Sequence, residues 1–321
     1  MISLVLAVLA QTEIRNHSAW KDTEGNLIDC HEGHLLRIEK TFYWYGRAYK
    51  GNVDGIFGEK GAKFRCGLTC YSSTDLVTWT KRGVILAVPE SGWLTQGTWH
   101  RPRVLFNAAT GRYVLWYFMF PDGTPGYFTA VVATSTSPTG PFTVRTGPGF
   151  RVSGDLALFQ DRDGKGYLCT EVKRQILVRR LTEDFLDVTG EPTVALKEGG
   201  NHEGSSMILY KGKYLVAGSG VEGLDPTETV VAVADHPMGP YTYQGRISER
   251  KTWRSQISAF VYIEESDRLF AMCEQWLIGP TGDRVPAEQS CQLWLPVTVD
   301  SRTGAVRMEH VDRWNPWTKG P

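Results

Sequence analysis

The sequence predicts an all-β fold, a five-bladed β-propeller in a single domain, on three observations. The 321 residues include 34 glycines and are 41% hydrophobic, yet no stretch sustains a helical period. A short aromatic strand beside a turn recurs five times, as Thr41-Phe42-Tyr43-Trp44-Tyr45, Arg112-Tyr113-Val114-Leu115-Trp116, Gly166-Tyr167-Leu168-Cys169, Lys213-Tyr214-Leu215-Val216-Ala217 and Arg268-Leu269-Phe270-Ala271-Met272. The intervals between them, about 47 to 70 residues, suit four-stranded blades with variable loops. A second unit follows each one, at residues 70–76 with Trp79, 133–142, 179–185, 232–241 and 299–306, and reads as a third strand turning into an outer fourth.

Taken in order, the chain opens with a largely apolar ten-residue stretch ending in Ala7-Val8-Leu9-Ala10, like the end of an export signal but without its basic start. Residues 1–11 are therefore a truncated export signal or a first buried strand, and residues 12–321 are the propeller. An export signal would place the protein outside the cytoplasm, secreted or periplasmic. No linker rich in Pro or Ser divides the remainder, so it forms one domain, expected to act as a monomer.

Composition excludes several partners. Lysine plus arginine and aspartate plus glutamate number 35 each, with no basic run, so nucleic acid is not expected as a partner. No later stretch is long and apolar enough to span a bilayer, so no membrane partner is expected either. The six cysteines are too sparse for a disulfide framework and have no zinc spacing; Cys169 and Cys273 lie in apolar strand patterns as free buried thiols, whereas Cys66 or Cys70 is free to pair elsewhere. No metal or cofactor is expected, although a calcium or other ion at the centre of the ring is compatible with converging His and carboxylate groups. Eleven Trp, thirteen Tyr and thirteen Phe exceed the needs of a core, and flat faces such as Tyr45 and Trp276 are platforms for sugar rings.

At a nearly constant offset of about 11 to 13 residues before each aromatic strand, a polar group precedes an apolar run: His31-Glu32, His100-Arg101, Asp155, Glu203 and Gln256. In a propeller these runs are the innermost strands, so their first residues gather around one mouth of the channel. Acids, amides and histidines converging there compose a binding or catalytic pocket. Within Asn201-His202-Glu203-Gly204-Ser205-Ser206, Glu203 stands at the mouth of a hairpin, where partial desolvation lets a carboxyl keep its proton near neutral pH.

These residues resemble glycoside hydrolase family 43, five-bladed propeller enzymes that hydrolyse with inversion. The likeness is carried by Ser153-Gly154-Asp155-Leu156, by Asp161-Arg162-Asp163-Gly164 and by Glu203 before its apolar strand. The exo-β-1,3-galactanase branch is the nearer match, through Tyr43-Trp44-Tyr45-Gly46, residues 70–80, Arg101-Pro102-Arg103, Ser137-Pro138-Thr139-Gly140-Pro141-Phe142, Ser255-Gln256 and Leu293-Trp294-Leu295-Pro296. The resemblance implies Glu203 as general acid, Asp155 as the residue that tunes it, and Gln256 in place of the base aspartate that the first blade lacks. It also implies His31, Glu32, His100, Arg101, Tyr45 and Trp276 as sugar-binding residues. Where that branch carries a glutamate before Arg101 this chain has His100, and Glu32 stands on the first blade instead.

The implied function is an inverting exo-glycosidase that cuts terminal galactose from β-1,3-galactan of arabinogalactan type, with an oligo- or polysaccharide as substrate. An arabinofuranosidase or β-galactofuranosidase of the same fold, or a non-catalytic sugar-binding propeller, are the alternatives. Glu32 is the rival to Gln256 as the water-activating group.

Overall fold

The computed structural model describes residues 12–50, 67–95, 97–121, 128–145, 151–152, 154–198, 200, 202–222 and 225–319. The apolar N-terminus (1–11) and Cys66 lie outside them. The described chain is a five-bladed β-propeller with almost no helix.

Each blade runs from the channel outward in chain order, with antiparallel neighbours. The innermost strands are His31–Ile38, Gly97–Asn107, Leu156–Gln160, Glu203–Tyr210 and Gln256–Ile263. The recurrent aromatic strands are the second ones: Thr41–Arg47, Arg112–Pro121, Gly166–Val172, Lys213–Glu222 and Arg268–Gln275. In the second blade, Thr143–Val144 and Arg151–Val152 share the outer position beside Phe128–Ser135. Every innermost strand packs against the innermost strands of both neighbouring blades, so the ring closes on itself.

Closure is made by the chain's two ends. Ile14–Arg15 pairs antiparallel with Arg313–Trp314. The Asn16 side chain then completes the edge of the fifth blade: its Nδ2 donates to the Trp294 carbonyl at 2.9 Å, and its Oδ1 accepts from the Trp294 amide at 2.8 Å. Both strands buried on two faces and blades wedged against one another demand bulky apolar side chains throughout.

That demand absorbs much of the aromatic content. Trp44, Trp79 and Trp294 are fully buried between the first and fifth blades, Trp99 between the first and second, and Trp116 between the second and third. A fully buried aromatic contributes roughly 2–3 kcal/mol in transfer terms. Tyr45, expected at the sugar site, is corrected by the same logic. It is fully buried between the first and second blades among Trp99 and Tyr117, and its hydroxyl donates to the Pro138 carbonyl at 2.8 Å. Cys30, Cys70, Cys169, Cys273 and Cys291 are buried free thiols.

Candidate active site

The mouth of the channel is built by a repeated irregularity. Pairing slips between His31 and His34, between His100 and Arg103, between Glu203 and Ser206, and between Ile257 and Ala259. In the first three, the residue after the leading polar one is left-handed: Glu32 at φ 55°, Arg101 at φ 51° and Gly204 at φ 59°. Such bulges free a backbone N–H from the ladder and re-aim the side chain. Each freed N–H is taken by a carboxylate of the preceding blade. Glu32 N donates to Glu274 Oε2 at 2.5 Å, Arg101 N to Glu32 Oε2 at 3.0 Å, and Gly204 N to Asp155 Oδ2 at 2.6 Å. At Glu32 and Arg101 the non-glycine left-handed backbone costs about 1 kcal/mol or more apiece, sustained by these bonds. Gly204 could be nothing larger, because a Cβ there would lie 2.9 Å from both Gln256 Cγ and the Ile257 carbonyl.

Beneath the mouth lies a buried ionic floor. Glu32 is 2% exposed and accepts from Tyr49 Oη at 2.8 Å and from Arg47 at 3.3 Å, with His100 Nδ1 3.1 Å away. Burial alone would raise its pKa, but the imidazole of His100 and the guanidiniums of Arg47 and Arg101 outweigh it and hold Glu32 well below the carboxylate range. His31 is wholly buried, stacked on Tyr49 and bonded to Glu274 Oε1 at 2.7 Å, with Asp29 3.3 Å away. Burial opposes its charge, yet Glu274 and Asp29 raise its pKa to about 10. Arg103 reaches across the channel to the Glu32 carbonyl at 2.8 Å and the Ser258 carbonyl at 3.0 Å. Three carboxylates, Glu32, Glu274 and Asp29, thus face three arginines and a protonated imidazole.

Above the floor stand the acids. Asp155 accepts from Arg101 at 2.8 Å and sits beside Glu203, which is half-buried and bonded to the exposed Arg174. Burial first, then the negative charge of Asp155, raise the Glu203 pKa to about 7 against the pull of Arg174. A carboxyl so poised holds a proton at neutral pH and can give it up. Arg174 is itself set by Glu171, whose Oε1 accepts the Arg174 N–H at 2.7 Å. Asp155→Asn is expected to lower the Glu203 pKa, since it deletes the repelling charge. The basic limb of the pH–rate profile should then move to lower pH, and an unmoved limb in a kinetic titration would assign Asp155 to turn geometry alone.

On the blade next to that of Glu203, Gln256 Oε1 accepts from Arg101, which also reaches the Ile257 carbonyl at 3.3 Å. A guanidinium can only donate, so the Gln256 amide turns Oε1 toward Arg101 and Nε2 away from it. That nitrogen is buried and has no protein partner among the described residues. An orphaned buried amide costs about 1–3 kcal/mol, which a water or a sugar hydroxyl would recover.

The structure thus brings together Glu203, Asp155, Gln256, Arg101, His100 and Glu32. Trp276 joins them, half-buried with the Arg101 guanidinium 6.0 Å from its ring centre and lining a cleft with Glu274 and Arg254. His31 has no exposed face and supports the floor instead of contacting a ligand, which corrects its expected role. Glu274, Asp29, Arg47, Tyr49 and Arg174 escaped the sequence reading. A signal existed for two of them: Arg47 and Glu274 stand at the ends of second strands, which in an antiparallel blade lie beside the starts of the first. A cavity of about 390 Å³ opens at the far end of the channel between Arg37, Phe159 and Phe260, away from Glu203 and Asp155. Among the described residues, the one grouping of His and carboxylates close enough to share an ion is also outside the funnel.

A carboxyl that holds its proton near neutral pH at the funnel mouth can serve as a general acid. Residues 31–221, more than half of the chain, match the family model for glycosyl hydrolases family 43; the chain belongs to that family. It is 30% identical over 187 residues to a β-D-galactofuranosidase of Aspergillus niger, covering 54% of each chain, and so spans about half the length of that relative. A family 43 β-1,3-galactosidase solved with galactodeoxynojirimycin superimposes with a TM-score of 0.81 at 27% identity, over 94% of this chain and 100% of that one. An exo-β-1,3-galactanase from Clostridium thermocellum gives 0.81 at 25% identity, over 97% of this chain and 68% of that one.

Proposed function

We propose that the chain is an inverting exo-glycosidase that releases galactose from the ends of β-1,3-galactan, with Glu203 as general acid and Gln256 holding the attacking water. The observation that carries this reading is the meeting in one funnel of a carboxyl that keeps its proton near pH 7 and a buried amide nitrogen without a protein partner. Glu203 passes its proton to the glycosidic oxygen as the bond to C1 breaks. A water on the opposite face, held by Gln256 Nε2–H, bonds to C1 and sheds its proton to solvent as the new bond forms. Because Arg101 occupies Oε1, Gln256 stays in the amide tautomer and orients the water instead of taking its proton. Asp155 keeps Glu203 protonated, and Trp276 offers a ring face to the sugar. The ionic floor closes the pocket beneath a single chain end, which supports exo action. No cofactor takes part, and the polysaccharide substrate favours work outside the cytoplasm, by a monomer.

The likeness to a β-1,3-galactosidase and to exo-β-1,3-galactanases supports the choice of sugar and linkage. The 30% identical relative favours a second reading, release of galactofuranose. Turnover of β-1,3-galactotriose against a β-galactofuranoside separates the two. Proton NMR of the first-formed sugar, read before mutarotation, is expected to show the inverted anomer; a retained anomer would end the single-displacement scheme. Gln256→Ala should lower kcat about a hundredfold by loosening the water. A fully active variant would remove Gln256 from the mechanism.

A further inference from the structure

A cluster of ligating side chains remains unused where the ring closes. His17 follows the first strand, Ile14–Arg15, while His310 and Asp312 precede the last, Arg313–Trp314. The Nε2 atoms of His17 and His310 are hydrogen-bonded at 2.9 Å, and one ring nitrogen of each histidine and a carboxylate oxygen of Asp312 all lie within 4.8 Å of one another.

The hydrogen bonds around His17 define its tautomer. Gln275 Nε2 donates to the Trp253 carbonyl at 2.9 Å, so the other end of that amide, Oε1, faces His17 Nδ1 at 3.0 Å. An amide oxygen only accepts; His17 Nδ1 therefore carries the proton, and its Nε2 lone pair accepts from His310 Nε2–H, a proton that a bound metal ion would displace. This is how metal-binding imidazoles are set, one nitrogen donating to a fixed acceptor while the other ligates. His310 is held by stacking on Trp253, with ring centres 4.9 Å apart at 29°. Two imidazoles on one tetrahedral zinc, each at 2.0–2.1 Å, place their nitrogens roughly 3.3 Å apart, a few tenths of an ångström from the separation here. The exposed Asp312 can supply a third ligand and water a fourth.

We infer that His17, His310 and Asp312 form a site for a divalent transition ion of the zinc class that latches the first strand of the propeller to the last. Imidazole nitrogen with one carboxylate oxygen suits zinc and its neighbours over calcium, which takes oxygen ligands. The ion would bind the closed ring and not the open chain, and so would stabilise closure in proportion to occupancy.

The test is calorimetric titration of the chelator-stripped full chain with Zn²⁺ alone, with thermal melting in parallel. One Zn²⁺ per chain is expected, with the melting temperature raised by about 3 °C or more at a hundredfold excess over the dissociation constant. His17→Ala and His310→Ala should each abolish both effects, and Asp312→Asn should weaken binding about tenfold or more. Absence of uptake by the natural chain, or undiminished uptake by the histidine variants, overturns the site. If those variants do not fold, carbethoxylation of the natural chain decides: Zn²⁺ should protect His17 and His310 from the reagent by mass spectrometry, and equal modification with and without Zn²⁺ rejects the proposal.

Discussion

Glu203→Gln should lower turnover of β-1,3-galactan ends by about two to four orders of magnitude, the usual contribution of a positioned proton donor. The substitution preserves size and the acceptor oxygen that meets Arg174, so the pocket keeps its shape and sugar binding should survive in a calorimetric titration. What disappears is the proton. Glycosides whose leaving group is a stabilised phenolate need little protonation and should lose far less rate than galactan, so the loss should grow with leaving-group basicity. The basic limb that Glu203 imposes near pH 7 should vanish with it. Undiminished turnover of the natural linkage by the variant would show that another group supplies the proton.

Glu32→Gln should have the second large effect, and on folding instead of chemistry. Glu32 is the shared acceptor of Arg47, Tyr49 and the Arg101 amide, and the Arg47 side chain has no exposure. Neutralising one partner of a buried charge pair leaves the other uncompensated, at a cost of about 3–5 kcal/mol. The urea midpoint should fall accordingly. The pH dependence follows in sign. A carboxylate whose folded pKa is depressed adds stability above its ordinary value of 4.5, and that stability is lost as pH falls through the folded pKa. The natural chain should therefore lose stability in acid more steeply than the variant. An unchanged midpoint with turnover abolished would make Glu32 the water-activating base and remove Gln256 from that place. A carboxylate this firmly ionised and this fully bonded is a weak proton acceptor, which is why the opposite result is expected.

The sequence by itself determined the ring and the gathering of its mouth. Aromatic second strands between turn residues are local signals that survive without neighbours, and their fivefold repetition implies closure. From closure alone, Asp155, Glu203, Gln256 and Arg101 must converge, because each stands at or close to the start of an innermost strand. Local signals stop at the direction of a side chain. Tyr45 and Trp44 alternate across a strand whose two faces are both buried, so no polar alternation distinguished a core ring from a sugar platform. The bulges at Glu32 and Arg101 use non-glycine residues in left-handed backbone and leave no mark in the sequence. Only the tertiary structure supplied the carboxylates that hold them open, Glu274 for one and Glu32 for the other. His31 meets Glu274 across 243 positions, a pairing that charge patterning along the chain cannot register. The fold is written in short-range periodicity; the ionisation of its site depends on which distant charges the closed ring forces into one buried floor, where desolvation is large and at Glu32 and His31 the Coulomb attraction outweighs it.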